Sequence, residues 1–156
     1  MQASPTVIEL LNDVLTAELT AINEYYIHAR MCSNWGYQRL ADKLHEESIG
    51  EMKHADKVIE RILFLEGVPN MQRLGSVRVG ETVPEQFSVD LSLESEHVGR
   101  LNRCVETCKA EGDNGSRLLL EEILEESEDH VDWLETQIAL VAKLGEELYL
   151  STQVHG

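Results

Sequence analysis

Five positions in this 156-residue chain carry side chains whose type and spacing suit metal chemistry. Glu51 stands three residues before His54, and 76 residues further on Ser127 stands three before His130. Glu18 and Glu94 share that offset of 76, as do the identical pairs Leu15 and Leu91, Glu46 and Glu122, and Asp56 and Asp132. Side chains at i and i+3 lie on one face of a helix, so such pairs on facing helices converge on a common point. Hard carboxylate oxygens and borderline imidazole nitrogens suit Fe, Mn or Zn. Any one of these residues alone reads as a hydrogen-bonded core group. Glu18, Glu51, His54, Glu94 and His130 together, at matching levels of an internal repeat, are expected to hold two metal ions, because burying several carboxylates uncompensated would cost many kcal/mol.

The elements that must position them follow the helical period. Ser4-Pro5 and Thr82-Val83-Pro84 mark helix starts, Gly67-Val68-Pro69-Asn70 a stop, and Glu111 to Ser116 a stop and restart. Asn34-Trp35-Gly36 forms a turn and Gly145 ends the last long segment. Four long helices are expected near residues 5–34, 37–66, 84–111 and 116–144, with a short terminal one at 146–151. Their apolar seams read Leu11, Leu15, Glu18, Ile22, Tyr25; then Leu40, Leu44, Glu47, Glu51, His54, Val58; then Phe87, Leu91, Glu94, Val98, Leu101, Val105; then Leu120, Ile123, Ser127, His130, Leu134. Two short connections imply two antiparallel hairpins. The middle connection, residues 67–83, can stretch about 56 Å, enough to run the roughly 42 Å length of a helix. The expected architecture is all-α, a four-helix bundle with one long crossover and a short fifth helix at the C-terminus, forming a single domain over residues 1–156.

A formal charge of −16 argues against nucleic acid and anionic membrane as partners and makes cations the natural ones. No apolar run approaches a bilayer span and no signal-peptide pattern opens the chain. Cys32, Cys104 and Cys108 have no CxxC spacing and fit free, buried thiols. A cytoplasmic location is expected.

The block Glu47-Ser-Ile-Gly-Glu51-Met-Lys-His54-Ala-Asp56 and the stretch Ile59-Glu-Arg-Ile-Leu-Phe-Leu-Glu-Gly67 resemble bacterioferritin, a haem-containing branch of the ferritins. Residues 21–30 (AINEYYIHAR) and 130–135 (HVDWLE) extend the resemblance to almost the whole chain. It implies a ferritin-like fold, a shell of 24 subunits storing iron as a ferric mineral, and an intrasubunit di-iron ferroxidase centre that oxidises Fe²⁺ with dioxygen or peroxide. Carried over by position, Glu18, Glu51, His54, Glu94 and His130 are its ligands. The resemblance also implies haem b between paired subunits, ligated by Met52, and an iron-sulfur ferredoxin as electron donor for iron release. By position alone Met52 reads as packing. Tyr25 matches a family tyrosine beside the centre, where it is either an electron donor or a buried hydroxyl satisfied by one hydrogen bond.

One position departs from the pattern. The resemblance implies a glutamate where this chain has Ser127, which leaves the ligand set one negative charge short of neutralising two Fe²⁺. Glu128 faces away from His130, whereas Glu126 lies on the flank of the seam and is the one neighbour placed to substitute. Two functions follow: an iron-storage ferroxidase, weakened or not at this position, or a haem-bearing structural subunit of a shell mixed with a second bacterioferritin chain.

Overall fold

A computed structural model describes residues 1–155. It comprises α1 (Pro5–Asn34), α2 (Gln38–Phe64), α3 (Val83–Ala110), α4 (Asn114–Leu144) and the short α5 (Glu146–Ser151). The expected bounds hold within two residues, and no strand occurs among the described residues. Among the described residues no helix is long and apolar enough to cross a membrane.

The helix starts are set by the residues that marked them in the sequence. The Ser4 hydroxyl accepts from the Val7 N–H at 3.3 Å, that of Thr82 from Glu85 N–H at 3.2 Å, and the Asp113 carboxylate from Ser116 N–H at 3.0 Å. Each satisfies a donor that the first helical turn would leave unpaired. Asp113 also takes the Arg61 guanidinium at 2.8 Å, which ties the start of α4 to the end of α2. Gly36, with φ of +89°, makes the reversal between α1 and α2 in a region that other residues enter at a cost.

α1 packs along α2 and α3 along α4, two hairpins joined mainly through α1 and α3. The crossover from residue 65 to 82 climbs α1. Asn70 N–H reaches Asn12 Oδ1 at 2.8 Å, Gly75 N–H reaches Thr20 Oγ1 at 2.8 Å, Arg78 N–H reaches Glu24 Oε1 at 3.0 Å, and Gly80 N–H reaches His28 Nε2 at 3.0 Å. From Asn12 to His28 this covers about 24 Å of helix. Gly80 presses so closely on α3 that a Cβ there would sit 2.3 Å from the Gln86 nitrogen.

Two apolar cores fill the bundle. One gathers Val7, Leu11, Val14, Leu15, Val58, Ile62, Leu101, Leu120 and Ile123 at one end. The other gathers Ala21, Tyr25, Leu40, Leu44, Phe87, Leu134 and Tyr149 at the opposite end. Between them lies a polar waist. Four expected apolar seam residues, Ile22, Leu91, Val98 and Val105, are only half-buried; Ile22 and Val105 flank the first core and Leu91 the second. Cys32, Cys104 and Cys108 are buried free thiols, as expected.

Beneath the crossover Glu24, His28 and Asp90 are each fully buried. Gly80 N–H occupies His28 Nε2, so the imidazole proton sits on Nδ1 and is donated to Asp90, 2.9 Å away. Burial pushes the His28 pKa down to about 4. It pushes Glu24 up to about 8, helped by its bond to and repulsion from Asp90, and Asp90 likewise rises to about 8. The carboxyl pair therefore keeps a proton at neutral pH. A folded-state carboxyl pKa above the unfolded value gives stability that is full below about pH 4.5 and is lost as pH rises through about 8. Glu24→Gln should remove this loss, so that in thermal or urea unfolding of metal-free protein the variant gains on the parent by up to about 1.4 kcal/mol per pH unit between pH 5 and 8. A variant whose difference from the parent is flat with pH would contradict the shared proton.

Candidate metal centre

The waist is built where all four long helices carry a polar seam residue. Glu18 comes from α1, Glu51 and His54 from α2, Glu94 from α3, and Ser127 and His130 from α4. Glu18, Glu51, Glu94 and Ser127 are at most 1% exposed. The five expected ligands assemble into two groups that share Glu51: Glu18, Glu51 and His54 in one, Glu51, Glu94 and His130 in the other. Within each group the ligand atoms lie within 4.8 Å of one another.

The fit of a metal pair to these residues rests on their orphaned atoms. Glu18 Oε2, both oxygens of Glu51, Glu94 Oε2 and His54 Nδ1 are buried with no aligned hydrogen-bond partner. Each unsatisfied polar atom costs about 1–3 kcal/mol, and more when charged. A divalent cation in each group would satisfy them together. His54 Nδ1 lies 3.4 Å from Glu18 and 3.5 Å from Glu51, and His130 Nδ1 lies 3.1 Å from Glu51 and 3.2 Å from Glu94, so both imidazoles present the same nitrogen to the waist.

The outer nitrogens are occupied too. His130 Nε2 contacts Glu47, which Lys43 holds at 2.9 Å, and His54 Nε2 contacts Glu126. Each helix of the α2–α4 pair thus supplies a carboxylate to the other's histidine. Such a partner fixes ring orientation and raises ligand basicity. Glu126 therefore meets His54 at Nε2, not at the Nδ1 side that faces Glu18 and Glu51. It lies on the far side of the His54 ring from the waist, with its own side chain mostly exposed. The Ser127 hydroxyl is fully buried and has no partner.

Without metal, protons do the work of cations. Burial alone would lower the His54 pKa, but the carboxylates of Glu18 and Glu51, 3.4 and 3.5 Å from Nδ1, outweigh it and lift it to about 11. Against the same penalty Glu47, Glu51 and Glu94 lift His130 to about 12. Burial, then Glu18, pushes the Glu51 carboxyl up; burial, then Glu51, does so for Glu94. Burial opposes ionisation of Glu47, but the bond from His130 prevails and holds that carboxyl low.

Two further residues touch the expected ligands. The Tyr25 hydroxyl donates to Glu94 Oε1 at 2.8 Å, with its ring edge-on to His130 at 6.1 Å. Burial, then the Glu94 charge, raises its pKa well above the usual phenol value. His97, buried on α3, places Nε2 2.7 Å from Glu18 Oε1, while an Arg100 N–H donates to its Nδ1 at 3.1 Å. This fixes the tautomer: Nε2–H donates to Glu18 and leaves Glu18 Oε2 for a metal. Burial pushes the His97 pKa down to about 4, so the ring is neutral. His97 was not singled out in the sequence, although Glu94 and His97 repeat the three-residue spacing of Glu51 and His54. Met52, expected as packing by position alone, is half exposed, so its thioether is not part of either core.

A family model described as a ferritin-like domain matches residues 8–144. The chain is 50% identical over 149 residues to a bacterioferritin from Mycobacterium leprae, covering 96% of this chain and 94% of the relative. The chain belongs to the bacterioferritin family. Bacterioferritins from Streptomyces coelicolor, 49% identical over 99% of this chain and 92% of theirs, and from Brucella melitensis, 48% identical over 96% and 92%, match it as fully.

Because both waist histidines are held protonated, metal must displace their protons. Calorimetry with Zn²⁺ or Co²⁺ in buffers of different ionisation enthalpy should show about two protons released per pair of ions at pH 7, and affinity should fall with falling pH. Release near zero would refute the protonated centre. Glu126→Gln, which removes the charge behind His54, should weaken binding at that group by roughly tenfold, while Glu128→Gln should leave it unchanged.

Proposed function

We propose that the chain stores iron, binding Fe²⁺ at the waist, oxidising it to Fe³⁺ and passing it to a ferric mineral within a 24-subunit shell. The observation that carries this reading is the set of orphaned carboxylate oxygens of Glu18, Glu51 and Glu94 beside two inward-facing imidazole nitrogens. Membership of the bacterioferritin family supports it. Iron is the substrate here, each Fe²⁺ giving one electron to dioxygen or peroxide. Glu18, Glu51, His54, Glu94 and His130 would bind it; Glu47, Glu126 and His97 would hold those ligands in place; Tyr25, bonded to Glu94, stands where it can give up an electron while its proton passes to that carboxylate. Two Fe²⁺ bring four positive charges against three ligand carboxylates, and the carboxylates behind the histidines offset part of the remainder.

Haem b would be held by Met52, one from each of two subunits. A thioether is a suitable axial ligand for haem iron, and the half-exposed Met52 is free to meet a group shared with a second copy. When bound, haem supplies one-electron chemistry, for which a ferredoxin-type donor is the proposed partner. The setting proposed is cytoplasmic.

Ser127 favours a second reading, in which this chain is a haem-bearing structural subunit of a mixed shell with little ferroxidase activity. Stopped-flow oxidation of the homopolymer at a few Fe²⁺ per subunit separates the two. A fast phase that Glu94→Gln abolishes supports the enzyme, and oxidation no faster than the protein-free background defeats it. Ser127→Glu should strengthen binding of the second metal by roughly tenfold or more, because it adds the missing charge to a buried site. Equal affinities for the two forms would show that the outer carboxylates already compensate.

A further inference from the structure

A cleft of about 700 Å³ opens between α1, α3 and the crossover. Four of the chain's eight arginines line it, Arg73, Arg78, Arg100 and Arg103, in a chain of formal charge −16. Most acceptors in its wall are engaged, Glu94 Oε2 excepted. Arg73 bonds Asp13 at 2.6 Å and Thr16 at 2.9 Å, Arg78 reaches Glu96 at 3.5 Å, and the Thr20 hydroxyl takes the Gly75 N–H. Glu94, at the floor, is bonded by Tyr25 and belongs to the metal centre. The unspent groups are donors. Arg100 and Arg103 have no carboxylate partner among the described residues, and they stand three apart on one face of α3. Arg100 commits one N–H to the buried His97 and leaves the rest of its fork free. The Ser76 hydroxyl has no hydrogen bond among the described residues, and Ser76 lines the same cleft.

We propose that this cleft is a binding site for a compact, multiply charged oxyanion of the phosphate class, held by the paired guanidinium forks of Arg100 and Arg103. Arginine forks match the geometry of tetrahedral oxyanions, and donors without acceptors in a half-enclosed cleft favour an anion over water. The location gives the site its interest. An anion on Arg100 lies two hydrogen bonds from the ligand Glu18, through His97, and brings negative charge to the flank of a centre that lacks one carboxylate.

The test uses the assembled, metal-free protein, so its outcome is independent of whether iron is oxidised at the waist. Titration calorimetry with inorganic phosphate at low ionic strength should give saturable binding of one anion per chain, competed by sulfate. The double variant Arg100→Gln/Arg103→Gln should weaken it at least tenfold, and Arg100→Lys/Arg103→Lys, which keeps the charges and loses the forks, should weaken it less. Arg39→Gln, remote from the cleft, should leave it unchanged. Shell size and helical circular dichroism establish that each variant is folded. Absence of saturable binding, or binding that folded Arg100→Gln/Arg103→Gln protein retains in full, would overturn the assignment.

Discussion

Everything in this structure answers to the burial of three carboxylates and two histidines in the middle of a helical bundle. Ionised groups in such a place are unstable unless something positive joins them. In the metal-free protein that role falls to protons on His54 and His130. A bundle that needed only stability would close its waist with leucine. The apolar cores at either end show that the same seams do so wherever the chemistry is absent. Between these cores Glu18, Glu51 and Glu94 are at most 1% exposed, and such burial strengthens the charge interactions among them.

Control of the centre is layered. Glu47 and Glu126 act on the outer nitrogens of the two histidines, and His97 acts on the outer oxygen of Glu18. Arg100 stands behind His97, and the arginine cleft behind Arg100. Each layer leaves one defined atom of the ligand facing inward. Ser127 thus lies among buried side chains that are each held by a neighbour, with the carboxylates of Glu47 and Glu126 adding negative charge around them.

The crossover has its own constraint. A segment without secondary structure must find partners for its backbone donors, and here four polar side chains along α1 provide them: Asn12, Thr20, Glu24 and His28. The cost is a buried acid pair, Glu24 and Asp90, which retains a proton to remain together. Its position beneath residues 78–80 makes the protonation of the bundle and the seating of the crossover parts of one network.

From its residues alone the chain determined the helix count, the crossover length and the convergence of Glu18, Glu51, His54, Glu94 and His130. Periodicity and the offset of 76 are local properties that survive projection onto a line. The departure at Ser127 was equally legible, because a repeat exposes its own exceptions. Only the tertiary structure decided where Glu126 goes, that His97 serves Glu18, that Glu24 and Asp90 meet, and that Met52 faces outward. One pairing lies outside the offset altogether. Glu47 and Glu126 play matching roles although they do not lie 76 apart, since each reaches across to the other helix rather than repeating within its own. Such partnerships depend on the rotation of α2 against α4 and on side-chain direction, which no spacing along one helix records.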